Sequence, residues 1–135
     1  MGMYTEIFVN VDLKPETPAD VIAVLQAMCG GDDKSALDGK PERWNQLFSD
    51  GSHYTPRTSC AELKYCEIAG AWSLLGKGDI KNYEGEIEAF FGWIMPWVDG
   101  FPGEFIGYKR YEESNVPELV LLANSGIRRH TIERN

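Results

Sequence analysis

From Tyr4 to Leu13 the chain alternates: Ile7, Val9, Val11 and Leu13 fall on one side, while Glu6, Asn10 and Asp12 take most of the other. A period of two built on β-branched residues marks a strand with one buried and one wet face. Lys14-Pro15-Glu16 breaks it, and the period then changes. Thr17-Pro18-Ala19-Asp20 offers an N-cap, a proline at the first helical position and an acid in the first turn. Val21, Ile22, Val24, Leu25 and Met28 follow at helical spacing, and Gly30-Gly31 supplies the stop. A half-buried strand followed by an amphipathic helix belongs in a layered fold, because each needs another element to cover its apolar face.

The rest of the chain continues that theme. Residues 30–58 lose all periodicity and read as a long irregular loop, the first place to look for a variable surface. Within it, Arg43-Trp44-Asn45-Gln46-Leu47-Phe48 is expected to form one helical turn that plugs Trp44 and Phe48 into the core. Glu62–Ile68 and Ala71–Leu75 are short strands around Gly70, followed by a Gly76-Lys77-Gly78-Asp79 turn. Asn82 is placed to cap a second helix whose apolar stripe is Tyr83, Ile87, Phe90, Phe91, Ile94 and Val98, with Glu84, Glu86 and Glu88 on the wet side. Pro96 ends or kinks that helix near Trp93. Phe105–Tyr111 and Glu118–Ala123 close the sheet, and residues 124–135 read as a frayed tail in which Thr131 and Ile132 could extend a strand. The order β-α-β-β-α-β-β predicts a single α+β domain over 1–135. Its sheet is mainly antiparallel, with two helices packed on one face in a ferredoxin-like manner.

The 135 residues suffice to bury a core without a metal or disulfide staple. Twenty-one acids stand against 13 Lys and Arg, a net charge of −8, which argues against non-specific nucleic-acid binding. The excess has an address: residues 82–118 hold eight acids and two bases, and residues 1–40 hold seven acids and three bases. Three cysteines cannot all pair, so a disulfide-stapled scaffold is not expected. The N-terminus has no secretory pattern, and Glu6 stands where myristoylation of Gly2 would want Ser or Thr. The longest apolar run, Phe90–Val98, is nine residues, against about 20 for a membrane span. A cytoplasmic protein without membrane association is the expectation.

No catalytic signature appears, and no cofactor or metal is expected. Gly70 and Gly76 bracket five residues rather than the four of a phosphate loop, and Gly78 takes the place of the hydroxyl that would hold magnesium. Cys29, Cys60 and Cys66 lack Cys-x-x-Cys spacing and read as structural thiols, although Cys60 with His53 could in principle pair a nucleophile with a base. Glu84, Glu86 and Glu88, after Asp79, are most simply solvated carboxylates near a helix start. Tyr108-Lys109-Arg110-Tyr111 is the densest aromatic–basic run, with Arg128-Arg129-His130 the other basic knot. The run could hold an anion, although strand alternation alone produces such a pattern. Trp93 and Trp97, beside Phe91 and Phe101, spread aromatics over more than one helix face, as an interface or dimer patch would.

Several segments carry a family likeness: Ile80-Lys81-Asn82-Tyr83-Glu84-Gly85-Glu86-Ile87-Glu88, Trp93-Ile94-Met95-Pro96-Trp97, Phe105-Ile106-Gly107-Tyr108 and Arg110-Tyr111-Glu112-Glu113. Together with the opening strand and the Thr17–Ile22 helix start, they resemble a family of small uncharacterised proteins encoded by bacteriophages, prophages and some bacterial genomes. The resemblance skips the loop at 30–58 and transfers no catalytic residue. It implies a small accessory protein that occupies a host partner, including defence complexes, rather than turning over a substrate. The leading expectation is thus a non-enzymatic binder of a host protein or of a second copy, using Glu84, Glu86, Glu88, Trp93 and Trp97. The alternatives are a binder of a small anionic ligand or nucleotide at Tyr108, Lys109, Arg110 and Tyr111, and a small hydrolase or transferase.

Overall fold

A computed structural model describes residues 4–48, 60–114 and 116–123, together with the backbone of 128–131. The alternating N-terminal segment is β1, Thr5–Leu13, and lies within an antiparallel sheet. The other strands are β2 (Cys60–Cys66), β3 (Ala71–Ile80), β4 (Val98–Asp99), β5 (Phe105–Tyr111), β6 (Glu118–Leu121) and β7 (Arg128–Thr131). Their spatial order is β2-β3-β1-β5-β6-β7, with β4 pairing the end of β1 through Asp12 and Leu13. Among the described residues, two α-helices, α1 (Ala19–Met28) and α2 (Glu86–Ile94), complete the α+β fold. The series β1-α1-β2-β3-α2-β5, arranged as β2-β3-β1-β5, is the ferredoxin-like pattern, which β6 and β7 extend on one side.

Ile7, Val9, Val11 and Leu13 of β1 join Val21, Ile22, Val24, Leu25 and Met28 of α1 and Ile87, Phe90, Phe91 and Ile94 of α2 in one buried cluster. Arg43–Phe48 behaves as its composition suggests: Glu42–Gln46 forms a 3-10 turn that drives Trp44 and Phe48 into this cluster. Both rings meet Phe90 edge-on, at 5.7 and 5.6 Å. Residues 30–48 are therefore ordered by a second short turn at Ser35–Leu37 and by this aromatic plug, while 49–59 of the expected loop lies outside the described residues.

Several expectations need correction. At the start of α1 the N-cap position is Pro18, one residue later than expected, and the Thr17 hydroxyl donates instead to the Lys14 carbonyl at 2.6 Å. The Gly76-Lys77-Gly78-Asp79 segment is no turn but the second half of β3, in register with β1 from Phe8↔Lys77 to Thr5↔Ile80. Its glycines serve close approach: a Cβ on Gly78 would overlap the Leu47 carbonyl oxygen, and one on Gly76 would sit 2.7 Å from the Phe48 ring. At α2 the N-cap position is Gly85 rather than Asn82, which reaches in from the preceding turn, its Oδ1 accepting the Ile87 N–H at 2.8 Å. Gly85, at φ +72°, turns the chain first, so Tyr83 precedes the helix and is 62% exposed rather than part of the apolar stripe. Past Ile94, Pro96 sits in a 3-10 turn at Met95–Trp97, so Val98 leaves the helix and enters β4. Finally, Arg128–Thr131 pairs with β6 instead of fraying. Residues 124–127 and 132–135 lie outside the described residues. Among the described residues, no helix is long and apolar enough to cross a membrane.

Candidate functional site

The described charges of this chain are sorted by sign. Of its described acidic side chains, 13 are exposed, whereas Lys34 and Lys64 alone are exposed among the described bases. The other cations are drawn in. Arg43 Nη1 donates to Glu86 Oε2 at 2.6 Å, and Lys109 pairs with Glu88 and, at 3.8 Å, with Glu118. Arg110 and Lys77 converge on Glu6 at 3.3 and 3.7 Å. Lys40 lies over Trp93, Arg43 over Tyr83 and Lys81 over Tyr4, each 5.7 Å from the ring centre. Among the described side chains, folding thus turns most of the positive charge inward and leaves most of the negative charge facing water.

The acidic and aromatic groups meet around the start of α2. The 3-10 turn at Glu42–Gln46 packs beside it because Trp44 is anchored below, its Nε1–H donating to the Glu86 carbonyl at 3.1 Å. Between them opens a groove of about 480 Å³ lined by Pro41, Glu42, Arg43, Gln46, Glu84 and Glu86. Glu42 and Glu84 are exposed on its rim, and Tyr83 stands beside it with Arg43 against its face. The hydrogen bond to Glu86 is the main cause that pushes the Arg43 guanidinium above its ordinary value. Arg43 therefore acts as a fixed positive base beneath an acidic rim.

The three expected surface glutamates part company here. Glu84 is exposed as predicted. Glu86 is only 4% exposed; its Oε1 accepts the Glu84 N–H at 3.1 Å and its Oε2 holds Arg43. Glu88 is half-buried, between Lys109 and the Asn82 Nδ2–H, which donates to it at 2.8 Å. Two of the three carboxylates are thus committed within the fold, because the Glu42–Gln46 turn and β5 supply cations that helical periodicity cannot reveal.

Glu88 also gives the protein an acid-sensitive joint. Burial acts to raise its carboxyl, but the hydrogen bonds from Lys109 and Asn82 outweigh this and hold it below the ordinary glutamate value of about 4.3. A depressed folded value means that the contribution is complete above the unfolded value and is lost as pH falls through the folded one. Urea midpoints of wild type and Glu88→Gln should therefore differ at pH 7 and converge below pH ~4. A gap that persists unchanged at low pH would remove Glu88 as the cause.

Trp93 and Trp97 are half-buried and packed against the core. Trp93 rests on Trp44 at 5.2 Å and on Phe90 at 6.1 Å, so core packing accounts for most of the aromatic excess on α2. Phe101, 78% exposed in the loop before β5, is the freer ring. The proposed anion-binding run is split by strand alternation. Tyr108 and Arg110 face away from the helices, where the Tyr108 hydroxyl donates to Glu6 at 3.0 Å and its ring stacks on Phe8 at 5.4 Å. Lys109 lies on the helix side with Glu88, and Tyr111 shares a small pocket with it. The structure does not bring the four together, and Lys109 and Arg110 are both ion-paired.

Burial pushes the Cys29 thiol up to about 11, with Lys34 opposing weakly, so it stays protonated at neutral pH. Cys60 and Cys66 are exposed on β2, while His53 and the side chain of His130 lie outside the described residues. Among the described residues, no group of three or more His, Cys, Asp or Glu side chains is placed to hold a metal ion. Glu6 escaped the sequence reading: on the supposedly wet face of β1, it is only 3% exposed. The Tyr108-x-Arg110 spacing was the available signal, since it puts a hydroxyl and a guanidinium on one face of β5, opposite β1.

No protein-family model, curated protein or solved structure matches this chain.

Proposed function

We propose that this chain is a non-enzymatic binding protein that occupies a basic surface of a partner protein, with the rim of Glu42 and Glu84, beside Tyr83 and Trp93, as its contact. One observation carries the reading: 13 exposed acids against two exposed lysines among the described side chains, with the remaining described cations half-buried and most of them paired or stacked on aromatic rings. Such a field steers association with cationic surfaces and raises on-rates by about 10- to 1,000-fold at low salt. Basic surfaces of that kind are what nucleic-acid-binding proteins present to phosphates. The likeness in sequence to phage and prophage proteins supplies the setting: a host protein held off its nucleic acid, in the cytoplasm, as a counter-defence device would do. Of the residues expected from sequence, Glu84 and Trp93 stay in the contact, whereas Glu86 and Glu88 are occupied internally and Trp97 packs against the core.

Immobilised protein exposed to bacterial lysate should retain proteins that bind DNA or RNA. Duplex DNA should release them, and the double variant Glu42→Lys/Glu84→Lys should retain at least tenfold less. Both residues are exposed, so the variant keeps the fold. Retention indifferent to both DNA and charge reversal would defeat the proposal.

A further inference from the structure

We propose that β2 is a self-recognition edge: two copies of this chain join their β2 strands antiparallel about a two-fold axis at Leu63, making one continuous sheet. β2 ends the sheet, and among the described residues nothing pairs with its outer side. A free edge of seven residues presents unpaired N–H and C=O groups, a template for another strand. Cys60, Glu62, Lys64, Tyr65 and Cys66 are all exposed on it.

What selects a second copy is the order of the residues. Cys60-Ala61-Glu62-Leu63-Lys64-Tyr65-Cys66 is self-complementary about its centre. With Leu63 facing the second copy's Leu63, Glu62 stands opposite the second copy's Lys64, and Lys64 opposite the second copy's Glu62. Neither side chain is hydrogen-bonded or ion-paired among the described residues, so both charges are available. Directly opposed residues share a face with Cβ atoms about 4.5–5.5 Å apart, close enough for each pair to attract. Neighbouring symmetric registers fail, because moving the axis by one residue sets Glu62 against Glu62 or Lys64 against Lys64. An odd offset would put the helices of the two copies on opposite faces, since the pleat has a period of two. The charges that discourage pairing with strangers thus admit one partner in one register.

The other positions agree. On the helix side, Tyr65 comes opposite the second copy's Ala61. Tyr65 is 46% exposed, with its ring edge-on to Trp72 at 5.2 Å. Ala61, Leu63 and Trp72 line a groove of about 650 Å³ between β2 and α1, whose Ala23 and Ala27 leave it shallowly walled. A large ring thus meets a small residue beside an open groove at each end of the interface. On the face away from the helices, Cys60 comes opposite the second copy's Cys66, near the separation that a disulfide bridges.

Light scattering on the full chain should give twice the 15.2 kDa chain mass. Glu62→Lys or Lys64→Glu alone should weaken the dimer about 30-fold, and the two together should restore it. The cysteines test the register in a Cys29→Ala background. Diamide takes two electrons and two protons from a facing thiol pair, becoming the hydrazine and leaving a disulfide. Cys60→Ala alone and Cys66→Ala alone should each fail to cross-link, while a mixture of the two variants should yield a covalent dimer. A monomer at every concentration overturns the proposal. So does a dimer indifferent to the charge reversals, which would place the contact elsewhere, such as at Trp93. A cross-link within either single variant overturns the register.

Discussion

Replacing Glu86 by lysine is expected to cost about 3 kcal/mol of folding stability, whereas Glu84→Lys, two residues earlier, should stay within about 0.5 kcal/mol of wild type. Both residues occupy what helical periodicity presents as one acidic face. The difference comes from the Glu42–Gln46 turn, which lies over Glu86 and brings Arg43 to 2.6 Å from its carboxylate. Lysine at position 86 would bury an ammonium beside that guanidinium and take the acceptor from the Glu84 N–H. Breaking a buried pair costs roughly 3–5 kcal/mol, and the lower end applies because the Arg43 side chain is a third exposed to water. The melting temperature should fall by roughly 10 °C, a large share of the margin of a domain of this size. Glu86→Gln, which keeps an oxygen for the Glu84 N–H, should fall between the two. Equal stability for Glu84→Lys and Glu86→Lys would mean that the turn does not clasp α2.

That contrast marks where the sequence stops being legible. β1 and α1 could be read because their causes are local: a period of two and a period near 3.6. The same alternation, followed consistently, would have separated Lys109 from Arg110. Density of basic and aromatic letters in a row instead suggested one site where the strand makes two faces. Glu6 and Glu86 were hidden for another reason. Each is buried by segments distant in sequence, Arg110 for one and Arg43 for the other, and no window of neighbouring residues contains both partners. The sign of the whole surface was legible only as a total. Which charges remain outside depends on how many cations the fold consumes, and that depends on the register of β1 with β3 and β5.

Gly78→Ala is the sharpest test of the other misreading, and should also cost about 3 kcal/mol. Gly78 has no positive φ, so alanine could adopt its backbone conformation without strain. In an exposed Gly76-Lys77-Gly78-Asp79 turn the substitution would be mild, or even stabilising through the unfolded state. In β3 the new methyl points at the carbonyl oxygen of Leu47, a backbone atom that cannot rotate aside. Either β3 loses its register with β1 through Gly78↔Ile7, or the Leu47–Phe48 segment lifts out of the core and takes the packing of Trp44 with it. Gly76→Ala meets the Phe48 ring instead, which can tilt, so its cost should be about half as large. Amide exchange should separate the routes. If the aromatic plug yields, protection at 44–48 drops while β1 stays protected, and if the strand yields, both fall together. A Gly78→Ala protein as stable as wild type would return this segment to the turn that its composition suggests.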